Sequence, residues 1–231
     1  MTPIETVFLD AGGVLVHPNW PRVSGELARR GVQVSAAALE AADPRARRRI
    51  DLPATIGATD DRSRGRLYFD LVLAQAGVPP SEATREALDS LDEYHARCNL
   101  WEVVPPDVPP ALARLRQIGL QLVVVSNANG TIGEMFGRLG LADRVDLLID
   151  SSVEGVEKPD PRLFEIALAR SGARRDATVH VGDLYCVDVA GARAAGLRAA
   201  LLDLAGLYGD ADCIRVRTLD ELCDRIERRE V

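Results

Sequence analysis

From Pro106 to the C-terminus, short apolar runs alternate with segments carrying apolar residues at helical spacing. No other feature constrains the fold as strongly. Leu122-Val123-Val124-Val125, Val145–Ile149, Val179–Val181 and Arg198–Leu202 read as strands, with Cys213–Val216 as a last edge strand. Helices are expected near Ala111–Ile118, Ile132–Leu139, Pro161–Ser171, Val187–Ala195 and Thr218–Arg228. The first closes on Gly119, the fourth on Gly196, and the last is capped by Thr218. Strands with no polar alternation belong to a sheet covered on both faces, and a helix between successive strands makes them parallel. The expected class is therefore α/β, a doubly wound parallel sheet.

One more strand precedes this alternation. Val7-Phe8-Leu9, with Ile4 upstream, reads as a buried strand that Asp10 ends and Gly12-Gly13 turn sharply. Val14-Leu15-Val16-His17 is expected to continue briefly extended. From Trp20 to Arg97 the pattern is helical, in segments near Arg22–Arg30, Ser35–Arg49, Arg62–Ala76 and Ser81–Arg97. Ser35 and Ser81 are expected N-caps, and Gly77 and Pro79-Pro80 punctuate the last two segments. The organisation expected is an α/β core over residues 1–15 and 106–231, with a helical module over 16–105.

Composition narrows the class of partner. A net charge of −7 leaves no basic excess to neutralise nucleic-acid phosphates. No apolar run approaches membrane-spanning length, and no basic segment followed by an apolar stretch opens the chain. Cys98, Cys186, Cys213 and Cys223 show neither metal nor paired spacing, which suits a reducing, cytoplasmic setting. Lys158 is the only lysine among 28 lysine and arginine residues. A lysine retained in such a chain suggests a site that needs a compact ammonium rather than a planar fork.

Three expected strands end in polar residues: Asp10, Ser126-Asn127 and Gly182-Asp183. In a parallel sheet these tips share the edge where open α/β sheets bind ligands. Lys158 follows another strand in Glu157-Lys158-Pro159-Asp160. A nucleophilic carboxylate, a hydroxyl, a cation and a second carboxylate thus converge on one crevice. Glycines after Asp10 let backbone N–H groups approach an anion.

In these residues the chain resembles the haloacid dehalogenase-like hydrolase superfamily over nearly its whole length. The family's first motif, an aspartate ending the first strand, matches Asp10 in Leu9-Asp10-Ala11-Gly12-Gly13-Val14-Leu15. Its Ser/Thr at a strand end matches Ser126, and its lysine followed by proline matches Lys158-Pro159. Its Gly-Asp, with another aspartate five residues on, matches Gly182-Asp183 and Asp188. The resemblance implies a Rossmann-like core, and makes the helical module a cap that closes over the site and selects the leaving group. It also implies phosphoryl transfer to Asp10, with Mg²⁺ held by Asp10, the Gly12 carbonyl and Asp183, and Asp188 as a direct or water-mediated ligand. Ser126, Asn127 and Lys158 would bind the phosphate of a small-molecule substrate.

The sequence departs from the family's phosphatases at Gly12, where they carry a second aspartate acting as general acid and base. Its loss points to good leaving groups, to an acid borrowed from elsewhere (His17, Asp60 and Asp61 are candidates), or to a metal- and phosphate-binding protein without turnover. Leu184 and Val187 also replace residues that are commonly polar in the family. The family's dehalogenases lack the second aspartate too, but they use no metal and lack an aspartate at the position of Asp183. A metal-independent 2-haloacid dehalogenase ranks third.

Overall fold

The structure, a computed structural model, describes residues 2–231. Its strands are β1 (Thr6–Leu9), β2 (His17–Pro18), β3 (Trp101–Val103), β4 (Gln121–Ser126), β5 (Leu147–Asp150), β6 (Thr178–Gly182), β7 (Arg198–Leu202) and β8 (Ile214–Val216). Six of them form one parallel sheet in the order β5-β4-β1-β6-β7-β8, and β2 pairs with β3. The chain builds outward from β1 first on one side and then on the other. The strand order therefore switches at β1, whose carboxyl end opens the crevice. This is the doubly wound α/β fold expected from the alternation.

Packing explains why these runs become strands. All of β1 and Leu122–Val125 of β4 are buried, as befits strands covered on both faces. On one face Phe8, Val123 and Val125 pack with Leu163, Phe164 and Ala167 of helix Pro161–Ser171. Burying each such side chain is worth about 1.5–3 kcal/mol, so the sheet holds its strand tips on a rigid base.

Four local details differ from expectation. Val14 and Leu15 do not stay extended, because the Ala11 carbonyl accepts from the N–H groups of Leu15 at 2.8 Å and Val16 at 3.0 Å and winds them into a turn, after which Val16 bridges to Gly12 and His17 opens β2. The strand expected at Val145–Ile149 starts later and runs Leu147–Asp150. A four-residue helix, Ser151–Glu154, follows it, capped by Asp150 accepting from Ser152 N–H at 2.9 Å. The helix expected over Val187–Ala195 is instead a wide π-type turn, Tyr185–Val189, running into an α-helix, Ala190–Ala194.

The chain divides into two compact units, one up to His17 plus Val104–Val231, the other Pro18–Val103. The second unit carries helices Trp20–Ala28, Ala36–Ile50, Pro53–Ala58, Asp61–Gln75 and Glu82–Cys98. Ser35 accepts from Ala38 N–H and Ser81 from Thr84 N–H, each at 3.1 Å, satisfying orphan donors at those helix starts. The rings of Trp20, Tyr68, Phe69 and Trp101 form its aromatic centre. Among the described residues no helix is long and apolar enough to cross a membrane.

Candidate active site

Strand register brings the expected residues to one edge. Leu9 pairs with Val124 on one side and Val181 on the other, so the residues following each strand emerge together. Asp10 N–H donates to the Val181 carbonyl at 2.9 Å, fixing the first carboxylate beside β6. Its Oδ1 accepts from Ala11 N–H at 2.8 Å and lies 3.0 Å from Lys158 Nζ. Ser126 ends β4, buried, and its hydroxyl donates to the Asn127 carbonyl at 3.3 Å. Asp10, Asp183 and Asp188 each offer an oxygen, and these atoms lie within 4.8 Å of one another.

Close approach explains Gly182. A Cβ there would stand 2.0 Å from Asp188 Cγ, so any side chain would displace that carboxylate. Gly191 has a similar role: its Cβ would meet Pro159 Cα at 3.0 Å, which lets the helix after the π-type turn pack on the Lys158-Pro159 loop. Gly12 is different. Gly13 sits at φ 79°, whereas Gly12 is absent from the positive-φ glycines of the described residues. Its backbone is therefore not in the region that favours glycine.

The electrostatics follow from burial and pairing. Lys158 is fully buried, with Nζ 2.7 Å from Asp188 Oδ1 and 3.0 Å from Asp10 Oδ1. Burial works against its charge, but the two carboxylates push its pKa up to about 12. Against the upward push of burial, Lys158 and His180 hold the Asp188 carboxyl well below the usual carboxylate range. Burial raises Asp10 above that range; Lys158 opposes the shift and Asp188 reinforces it. The Lys158 ammonium therefore bridges Asp10 and Asp188, two of the three clustered carboxylates.

That donor set fits a divalent cation. Hard oxygen ligands on a rigid edge suit Mg²⁺, which takes one or two carboxylates and keeps waters. Carboxylates gathered in one crevice give a cation a favourable place to bind. Asp188 has protein partners at both oxygens. Its Oδ1 accepts from Lys158 and faces His180 Nε2, and its Oδ2 accepts from Leu184 N–H at 3.0 Å.

Two residues add to the sequence reading. Asn127, expected on the phosphate, has both ends of its side-chain amide on the backbone of Lys158. Its Nδ2 donates to the Lys158 carbonyl at 3.0 Å, and its Oδ1 accepts from Lys158 N–H at 2.7 Å. The side chain thus ties the lysine loop to β4. His180 is missed altogether, although a histidine inside Val179-His180-Val181 is a visible interruption of an apolar strand. Among the residues considered as substitute acids, Asp60 caps helix Asp61–Gln75, accepting from Ser63 N–H at 2.8 Å, and Asp61 lies 3.3 Å from Arg64.

The family model for haloacid dehalogenase-like hydrolases matches residues 4–196. Haloacid dehalogenase-like hydrolase domain-containing protein 3 of Mus musculus is 35% identical over 127 residues, 55% of this chain and 50% of its own length. The chain thus spans about half of that relative. Ribulose-1,5-bisphosphate 5-phosphatase of Halopiger xanaduensis is 39% identical over 148 residues, 64% of this chain and 61% of its own. A 2-haloacid dehalogenase structure from Pseudomonas syringae superposes with a TM-score of 0.60 at 27% identity, covering 99% of this chain and 100% of that one. With a family match across most of its length and the family's residues gathered at one sheet edge, the chain belongs to the haloacid dehalogenase-like hydrolases.

Proposed function

We propose that this protein hydrolyses a small phosphate monoester through a phosphoryl-Asp10 intermediate, with Mg²⁺ as its cofactor. The observation that carries this reading is the gathering of Asp10, Asp183 and Asp188 within 4.8 Å, with the Lys158 ammonium on Asp10 and Asp188. Asp10, the Gly12 carbonyl and Asp183 would hold the metal. Asp188 would act through a metal-bound water, since protein donors already face both its oxygens. When bound, the ion supplies positive charge that lets an anionic nucleophile approach an anionic phosphate.

The chain's own residues divide the remaining work. An Asp10 oxygen forms a bond to phosphorus while the bond to the leaving oxygen breaks, and that oxygen departs with the electron pair. Water then attacks the same phosphorus, releasing inorganic phosphate and restoring Asp10. Lys158, fixed by Asp188, offsets charge on the nucleophile and the transferring group. Ser126 and the backbone N–H groups after Asp10 bind phosphate oxygens. At Gly12 no side chain can give the leaving oxygen a proton, so acyl, aryl or anomeric phosphates should be favoured over alkyl ones. A reducing, cytoplasmic location suits four cysteines, none of them in a disulfide.

Displacement at the carbon of a haloacid needs no metal ion, whereas attack on an anionic phosphate does, so a carboxylate cluster able to hold a cation favours the phosphatase reading. The named phosphatase relative supports the same choice. The test is a turnover screen over phosphorylated metabolites and 2-haloacids, each with Mg²⁺ and with EDTA. Phosphate release that requires Mg²⁺ is expected. A 2-haloacid turned over equally in EDTA would replace this reading with the dehalogenase one. No turnover of any substrate would leave a metal- and phosphate-binding protein.

A further inference from the structure

We propose that His180 is a positioning residue, holding Asp188 through its Nε2–H so that Asp188 aims the Lys158 ammonium at Asp10. Its effect on turnover rests on the phosphatase reading above; its geometry does not. His180 pairs with Phe8 across the sheet, so its side chain enters the apolar layer beneath the strand tips. It is fully buried, and the Phe164 ring meets it edge-on with centroids 4.9 Å apart. An aliphatic side chain would pack there without the cost of burying a polar ring.

The ring's contacts give its task. Nε2 lies 3.0 Å from Asp188 Oδ1, and Nδ1 has no hydrogen-bond partner. An ionised carboxylate only accepts, so the hydrogen must sit on Nε2 and the bare lone pair on Nδ1. The same Oδ1 accepts from Lys158 Nζ at 2.7 Å, and the same ammonium lies 3.0 Å from Asp10. A chain of contacts therefore runs from the apolar layer through Asp188 and Lys158 to the nucleophile. Leu184 N–H fixes the other Asp188 oxygen, so the imidazole supplies the second point that stops the carboxylate turning. Partners behind such a site are commonly worth about 10–100-fold in activity or metal affinity.

Because Lys158 is the only lysine, protein labelled with ¹⁵N-lysine gives a single side-chain ammonium resonance. It reports the lysine's placement without substrate, metal or turnover. His180→Leu fills the space without a donor, whereas His180→Gln keeps an N–H near the Nε2 position. The ammonium resonance is expected to shift or vanish through faster exchange in the leucine variant and to return near its wild-type position in the glutamine variant. With Mg²⁺ and substrate, leucine should lower kcat about 10–100-fold at little change in KM, and glutamine should restore most of it. Long-range ¹H–¹⁵N spectra of the wild type should show the His180 ring protonated on Nε2, a reading that stands even if the leucine variant does not fold. A ring protonated on Nδ1, a leucine variant with wild-type ammonium signal, or a glutamine variant no better than leucine would overturn the proposal. If the wild type hydrolyses no phosphate ester yet the ammonium follows this pattern, the phosphatase reading fails and the positioning role of His180 stands.

Discussion

In the helical unit, the buried Asp43 accepts from Arg47 Nε at 2.7 Å, one turn along its own helix, and from Tyr68 Oη at 2.6 Å. Asp188 in the α/β core is buried at least as deeply, but the side chains that hold it, Lys158 and His180, arrive from two other segments. The first arrangement pairs charge locally. The second gathers Asp10 and Asp183 beside it, with the Lys158 ammonium shared between Asp10 and Asp188. Charge paired at helical spacing holds a fold together, and charge gathered from separate strand ends is prepared for a ligand. The same residue types thus have different meanings according to which elements bring them together.

The sharpest way to break this comparison is to remove the carboxylate proposed as nucleophile. Asp10→Asn is nearly isosteric and should leave the thermal midpoint close to wild type while lowering kcat about 10⁴-fold or more. Retained turnover would reduce the strand-end carboxylates to structural charges like Asp43. Lys158→Arg should follow, with a loss of about 10²–10³-fold, because a planar fork does not replace a compact ammonium between Asp10 and Asp188. Steady-state kinetics read this directly, and near-normal values would make the lone lysine an accident of composition.

Gly12→Asp sharpens the comparison from the other direction, by adding a carboxylate to the cluster. A general acid is worth about 10²–10⁴-fold where the leaving group needs a proton. The gain in kcat/KM should therefore be larger for alkyl than for aryl phosphates. Wild-type protein that already hydrolyses both classes equally would show that another group supplies the proton. The smallest effect belongs to the helical unit. Tyr68→Phe removes one hydrogen bond to buried Asp43 and should cost about 1–2 kcal/mol in stability by denaturant titration, with kcat unchanged.

The legible parts of the sequence were those where one segment determines its own structure. Apolar runs ended by Asp10, Ser126 and Gly182-Asp183 marked the strand tips, and Ser35, Ser81 and Thr218 marked helix starts that the structure caps as expected. What the sequence hid depends on register between segments. The direction of the Asn127 amide is set by the backbone of Lys158, and the contact of His180 with Asp188 by its pairing with Phe8 and by the π-type turn that brings Asp188 back to it. The short helix Pro53–Ala58 buries no residue and so left no apolar pattern to read.

The central claim is a covalent bond between Asp10 and phosphorus. Mixing enzyme, Mg²⁺ and an acyl or aryl phosphate, quenching within a turnover and reducing with borohydride should convert Asp10, and no other carboxylate, to homoserine in the peptide map. Phosphate released at the full rate while Asp10 stays unreduced, with the quench shown to precede completion, would contradict the nucleophilic role assigned to it.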